Sequence, residues 1–146
     1  MRELYDISDI AHAIDLAVAP VFLLTGIGAL LGVMTNRLGR VIDRARLLEG
    51  RLDKAVPEDV AGLTANLGIL SRRARLINVA ITCCTMAALL ICSSIALLFS
   101  GSFVHFNITY PVALLFILAM VLLVIGLLWF LREIFIATLS LRIGPR

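Results

Sequence analysis

Residues 35–52 read TNRLGRVIDRARLLEGRL and follow directly on LAVAPVFLLTGIGALLGVM, residues 16–34. The apolar stretch has no charged side chain, and its 19 residues are close to the ~20 that cross a hydrocarbon core as a helix. The stretch after it has five arginines. An apolar run that ends in arginines is typical of a membrane-spanning helix whose basic end lies in the cytoplasm. The junction near residue 35 therefore predicts the inner end of a first transmembrane helix.

The composition of the whole chain also indicates a membrane protein. Of the 146 residues, 61% are hydrophobic and the mean hydropathy is +1.04, whereas soluble domains have about 45–50% apolar residues. Two further apolar runs cover residues 79–99 and 111–131. We therefore predict an all-α integral membrane protein of one domain with three transmembrane helices. The predicted segments are TM1 at about 12–35, a cytoplasmic helical hairpin at about 36–76, TM2 at about 78–99, TM3 at about 111–131 and a C-terminal tail at 132–146.

The basic residues are distributed unevenly along the chain. Nine of the 13 Lys and Arg residues lie between TM1 and TM2, three lie in the tail, and none lies between TM2 and TM3. Cytoplasmic segments carry an excess of Lys and Arg. We therefore predict that the N-terminus lies outside, and that the hairpin and the C-terminus lie in the cytoplasm.

Helical periodicity continues beyond the first apolar run. Apolar side chains recur at steps of three and four residues on both sides of Pro57. They are Leu38, Val41 or Ile42, Ala45, Leu48 and Leu52 before it, and Leu63, Leu67, Leu70, Ala74 and Ile77 after it. Pro57 suits the first position of a helix, and Glu58 and Asp59 suit its positively polarised N-terminus. The pattern predicts an antiparallel helical hairpin with a coiled-coil heptad seam, each arm continuous with a membrane span.

TM1 contains more small and polar residues than TM3. Gly28 and Gly32 form a small-xxx-small pair, which lets another helix backbone approach closely. Three spans bury little surface against one another, so we predict a homo-oligomer with TM1 nearest its axis. The residues that we expect to face this axis are Val18, Phe22, Thr25, Gly28, Gly32 and Asn36.

Ionisable residues flank this axis-facing set. Asp15 begins TM1 and His12 lies one turn earlier, so in a symmetric oligomer they would form an outer acidic ring that concentrates cations. Simple solvation of Asp15 at the outer interface is the alternative. On the inner side, Arg37, Arg40 and Arg44 could form a basic vestibule or contact lipid head groups, or could act only as topology signals.

Several other functions find little support in the sequence. No aromatic residue accompanies the basic residues between positions 35 and 78, so we expect no nucleic acid partner. We expect no catalytic residues, no cofactor and no metal, because no set of nucleophile, base and ligands comes together in the sequence. The three cysteines, Cys83, Cys84 and Cys92, fall in TM2 and are expected to be free and buried.

Two sequence blocks carry a family resemblance. The blocks TNRLGRVIDRAR at residues 35–46 and RRARLIN at 72–78 resemble a bacterial membrane protein family catalogued as domain of unknown function 2721. The resemblance extends from about Ile7 to Leu141. It implies a small multi-pass protein of bacterial type, which we expect in the bacterial inner membrane, and it implies no activity.

Two hypotheses for the function follow from these patterns. The first is a noncatalytic homo-oligomer in the inner membrane that provides a cation channel or ion pathway lined by TM1. The second is a membrane scaffold or regulator whose cytoplasmic hairpin docks a soluble protein partner, through the surface around Arg46, Glu49 and Asp53. Membrane lipids are expected partners in both hypotheses.

Overall fold

The computed structural model describes the backbone of residues 2–101 and 109–140, and the side chains of residues 11, 12, 14–100 and 109–138. Within these residues the chain forms three helices, α1 (Arg2–Leu52), α2 (Pro57–Gly101) and α3 (Thr109–Ser140). They account for 97% of the described residues, so the predicted all-α fold is confirmed. The last six residues of the predicted tail lie outside the described residues, whereas residues 132–140 continue α3.

Each of the three helices is long and apolar enough to cross a membrane. Their most apolar windows have mean hydropathies of 2.3, 2.2 and 3.1, and only 11%, 22% and 17% of these windows is buried within the chain. Apolar surface that the chain leaves uncovered needs a lipid or protein environment, because its exposure to water is unfavourable. The prediction of three membrane-spanning helices is therefore supported.

α1 passes without interruption through Pro20 and through the junction at residue 35. Proline removes one backbone hydrogen bond, but transmembrane helices tolerate this loss. Residues 53–56 form the turn, in which the Lys54 amide donates to the Arg51 carbonyl at 3.1 Å and the Ala55 amide donates to the Leu52 carbonyl at 3.2 Å. α2 then begins at Pro57, as predicted.

The described residues within 1–31 and 83–124 form one compact unit. Its buried side chains are mostly small: Ala17, Ile27, Cys84, Ala87, Ile91, Ser94, Ala119 and Leu123. Ser94 satisfies its hydroxyl by donating to the Ile91 carbonyl at 2.8 Å. The three cysteines are free, as expected, but only Cys84 is buried, while Cys83 is half-buried and Cys92 is exposed. The expectation of three buried thiols was therefore wrong for two of them, because the packed face of α2 follows residues 84, 87 and 91.

The described residues within 32–82 and 125–146 form the second unit, which contains the hairpin and the later part of α3. Its buried apolar side chains are Met34, Val41, Leu70, Leu76, Ile77 and Ala80. Val41 is 6% exposed and Ile42 is 38% exposed, so Val41 is the member of the outgoing apolar stripe. All five residues of the returning stripe are buried or half-buried.

Candidate functional site

Glu133 is a fully buried carboxylate near the end of α3. Its neighbours Leu131, Arg132 and Phe135 are exposed, so they occupy the outer face of the helix. Glu133 points the other way, into the second unit. A buried carboxylate is tolerated only when hydrogen bonds and opposite charges replace the water that it has lost.

Two arginines from two other helices supply those interactions. Arg73 on α2 donates from both Nε and Nη2 to Oε1 of Glu133, at 3.1 and 2.9 Å. Arg37 on α1 places Nη2 3.5 Å from Oε2. We call these three residues the Glu133 cluster. It connects α1, α2 and α3 through charge-assisted contacts, which are the stronger class of hydrogen bond.

The two arginines are not equivalent. Arg73 makes two hydrogen bonds, whereas the approach of Arg37 to Oε2 is an ion pair without hydrogen-bond geometry, and Oε2 has no hydrogen-bond partner. Arg37 is also held by the ring of Phe130, whose centroid lies 5.4 Å from its guanidinium carbon. Phe130 and Glu133 lie three residues apart on α3, so one face of this helix contacts the Arg37 guanidinium. The cluster as a whole carries a formal charge of about +1, because two guanidiniums face one carboxylate.

A cavity lined by four arginines lies in the same unit. This cavity of about 230 Å³, which we call the arginine cavity, is lined by Arg37, Arg40, Val41, Arg44, Leu70 and Arg73. Arg37 and Arg73 are held by Glu133, whereas Arg40 and Arg44 are exposed and have no ion-pair partner among the residues that the structure describes. No acidic residue lines this cavity, and Asp43, the nearest acid along α1, is exposed and outside it.

The predicted axis-facing residues of α1 are all exposed. We call them the α1 open face: Val18, Phe22, Thr25, Gly28, Gly32 and Asn36. Phe22 is 74% exposed, and a Cβ atom added at Gly28 or Gly32 would meet no atom within 4 Å. The two glycines therefore make no close side-chain-facing contact with the residues that the structure describes. His12 and Asp15 are also exposed.

The hairpin contains an open groove of about 530 Å³ between its arms. Apolar side chains dominate this hairpin groove, and Arg46 and Glu49 contribute charges to its lining. The other lining residues are Val41, Ile42, Ala45, Thr64, Leu67, Gly68, Leu70, Ser71 and Ala74. Asp53, the third residue of the surface suggested by the sequence, is exposed and lies outside the groove.

Sequence reasoning did not identify Glu133 or Arg73 as site residues. Glu133 is the only acidic residue of α3, and it lies two positions after the apolar run that ends at residue 131. The ends of membrane spans that carry topology signals are rich in Lys and Arg, so an acidic residue at such an end suggests a paired or functional role. This was the clue in the sequence to Glu133. Arg73 stands between Arg72 and Arg75, and nothing in the sequence separates this half-buried arginine from its exposed neighbours.

Among the described side chains, no group of three His, Cys, Asp or Glu residues is arranged to hold a metal ion. Comparison with curated proteins and with solved structures gives no match. The family model described as Protein of unknown function (DUF2721) matches residues 17–143, a range that contains the whole Glu133 cluster. This match confirms the resemblance carried by the two basic blocks, and the chain belongs to that family.

Proposed function

We propose that this chain is a noncatalytic membrane protein that works as a homo-oligomer, with the α1 open face at the subunit contacts and beside an ion pathway. The observation that carries the proposal is the unfilled space at Gly28 and Gly32. Glycine weakens a helix relative to alanine by about 0.8–1 kcal/mol, so two glycines four residues apart favour a close approach by another helix. None of the described parts of α1, α2 and α3 approaches these two glycines closely, and a second copy is the simplest occupant.

The charges along α1 support a pathway for cations. Asp15 stands at one end of the α1 open face, and Arg40 and Arg44 stand beyond the other end. Symmetry repeats each charge once per subunit, so Asp15 becomes an acidic ring at the mouth. Arg37 is engaged by Glu133 and Phe130, so we assign the basic vestibule to Arg40 and Arg44. In this proposal the N-terminus is outside, and the hairpin and the C-terminus are in the cytoplasm of a bacterial cell.

Potassium flux into liposomes that contain the purified full-length protein tests the pathway. We expect flux above that of empty liposomes, a severalfold decrease with Asp15→Asn, and an increase with Arg40→Ala, because this change removes a ring that repels cations. Asp53→Asn is the matched control, since Asp53 is exposed and lies at the hairpin turn, nine residues after Arg44. Absence of flux, or an equal effect of both aspartate changes, would rule out the pathway.

Disulfide crosslinking tests the subunit contact separately. In a variant with Ala at positions 83, 84 and 92, we expect Gly28→Cys and Gly32→Cys to give crosslinked dimers on oxidation. Ala113→Cys places a thiol on an exposed position of α3 and serves as the control. Crosslinking at position 113 but not at positions 28 and 32 would move the contact from α1 to α3.

The hairpin groove favours a second candidate, a scaffold that docks a soluble protein. Its apolar lining with charges from Arg46 and Glu49 resembles the anatomy of protein-binding grooves, which receive an amphipathic helix. A photocrosslinker placed at Thr64, inside the groove, should trap one soluble protein in cells, and the purified pair should bind. Loss of this complex with Gly68→Trp, together with absence of ion flux, would favour the scaffold over the pathway.

A further inference from the structure

The charges around the arginine cavity do not balance. Four guanidiniums line it, and Glu133, which holds two of them, is the only carboxylate paired with any of the four among the described residues. Arg40 and Arg44 lie four residues apart on α1, a spacing at which like charges weaken a helix. The arrangement therefore has an excess of about three positive charges that no described side chain neutralises.

Glu133 holds two of these four guanidiniums, those of Arg37 and Arg73, in fixed positions. Two hydrogen bonds hold Arg73, and the carboxylate and the Phe130 ring hold Arg37, so these two side chains are ordered before any ligand binds. Preordered donors lose less conformational entropy on binding than free surface arginines do. A planar guanidinium also matches the paired oxygens of a phosphate group.

The position of the cavity along the chain points to the same chemistry. Arg37 follows an apolar run that ends at residue 34, and Arg73 precedes one that begins at residue 79. Glu133 follows a run that ends at residue 131. Residues just beyond the apolar part of a span lie at the depth of the lipid head groups, where phosphates are the dominant anions.

We propose that the arginine cavity is a binding site for a phosphate group, carried either by an anionic lipid or by a small soluble phosphate. Its volume of about 230 Å³ lies below the ~300–1,000 Å³ of sites for drug-sized ligands, which fits a head group or a free ion. All of the lining residues belong to one chain, so the site does not depend on the proposed oligomer.

Binding of the full-length protein in neutral detergent to three probes tests the proposal. The probes are phosphatidylglycerol, phosphatidylcholine and inorganic phosphate, and native mass spectrometry with titration measures the bound species. We expect Arg40→Gln combined with Arg44→Gln to weaken binding of the phosphate-bearing anion at least about tenfold, because each charge-assisted hydrogen bond contributes substantially to affinity. Both arginines are exposed and have no ion-pair partner among the described residues, so the fold should persist, and circular dichroism checks this.

The matched control is Arg72→Gln combined with Arg75→Gln. These residues flank Arg73, are exposed, and do not line the cavity, so the control removes the same charge from the same unit. The affinity of this control variant for the same phosphate-bearing anion should change less than about twofold. Binding of phosphatidylglycerol sensitive to the first pair supports a lipid site, and binding of inorganic phosphate with the same sensitivity supports a soluble ligand. Equal losses in both pairs, or no binding of any anion, would overturn the proposal.

Discussion

Glu133 shows how one residue organises the second unit. It is fully buried on α3, whose apolar window has the highest mean hydropathy of the three helices, 3.1. Two guanidiniums from other helices approach it. Burial of a lone carboxylate is strongly unfavourable, and the contacts with the two arginines offset that penalty.

Glu133→Gln should lower the free energy of unfolding by about 3–5 kcal/mol, the range for breaking a buried ion pair by removing one partner. The amide keeps the size of the side chain but leaves both guanidiniums without a counter-charge. Denaturant unfolding in detergent, followed by circular dichroism, measures the change. Glu49→Gln makes the same chemical change at an exposed position and should alter stability by less than about 0.5 kcal/mol. Similar small losses in both variants would contradict a structural role for the cluster.

Arg73 and Arg37 should differ in their contributions to stability. Arg73→Met removes both hydrogen bonds to Oε1 and should destabilise by about 3 kcal/mol or more. Arg37→Met leaves the neutral Arg73–Glu133 pair intact and loses only a 3.5 Å ion pair and the Phe130 contact, so the loss should be about 1 kcal/mol. The same unfolding measurement compares them, and a larger loss for Arg37 would reverse the assignment of the main partner.

The helices α1 and α2 could be predicted from the sequence to a large extent. Apolar run lengths predicted the spans, the stripes of three and four residues predicted the hairpin, and Pro57 predicted the start of α2. These are local signals, carried by spacing and by single residues. The choice between Val41 and Ile42 was not local, because both fit the spacing, and only the packing of the folded chain buries one of them. The Glu133 cluster was missed for the same reason, since it joins residues 60 positions apart.

A substitution at Gly62 tests whether the returning arm of the hairpin is helical. Gly62 is exposed inside α2, and an added Cβ would meet no atom within 4 Å. Gly62→Ala should therefore stabilise the protein by about 0.5–1 kcal/mol, because alanine loses less backbone entropy in a helix. Thermal unfolding measures the shift. Gly62→Pro is the opposing control, since proline should destabilise by about 3 kcal/mol, and no difference between the two would mean that this segment is not helical.

The Glu133 cluster supports an odd number of membrane crossings by the three helices. Its members contact one another, so they lie at the same depth. Arg37 follows the end of the first apolar run, Arg73 precedes the start of the second, and Glu133 follows the end of the third. The end of the first run, the start of the second and the end of the third therefore lie at one membrane face. Three crossings meet this requirement, and the hairpin and the end of α3 then share that face. The excess of arginines near this face predicts that it is the cytoplasmic one.

Labelling of single cysteines with a membrane-impermeant maleimide tests this orientation. In a variant with Ala at positions 83, 84 and 92, we expect His12→Cys to react in right-side-out spheroplasts. Glu58→Cys, beside the hairpin turn, should react only after permeabilisation, because the nine basic residues between the first two apolar runs predict a cytoplasmic hairpin. Both positions are exposed, so both thiols should react in detergent, which provides the control for accessibility. The reverse pattern would place Asp15 at the cytoplasmic face, and the acidic ring could then no longer gather cations at an outer mouth.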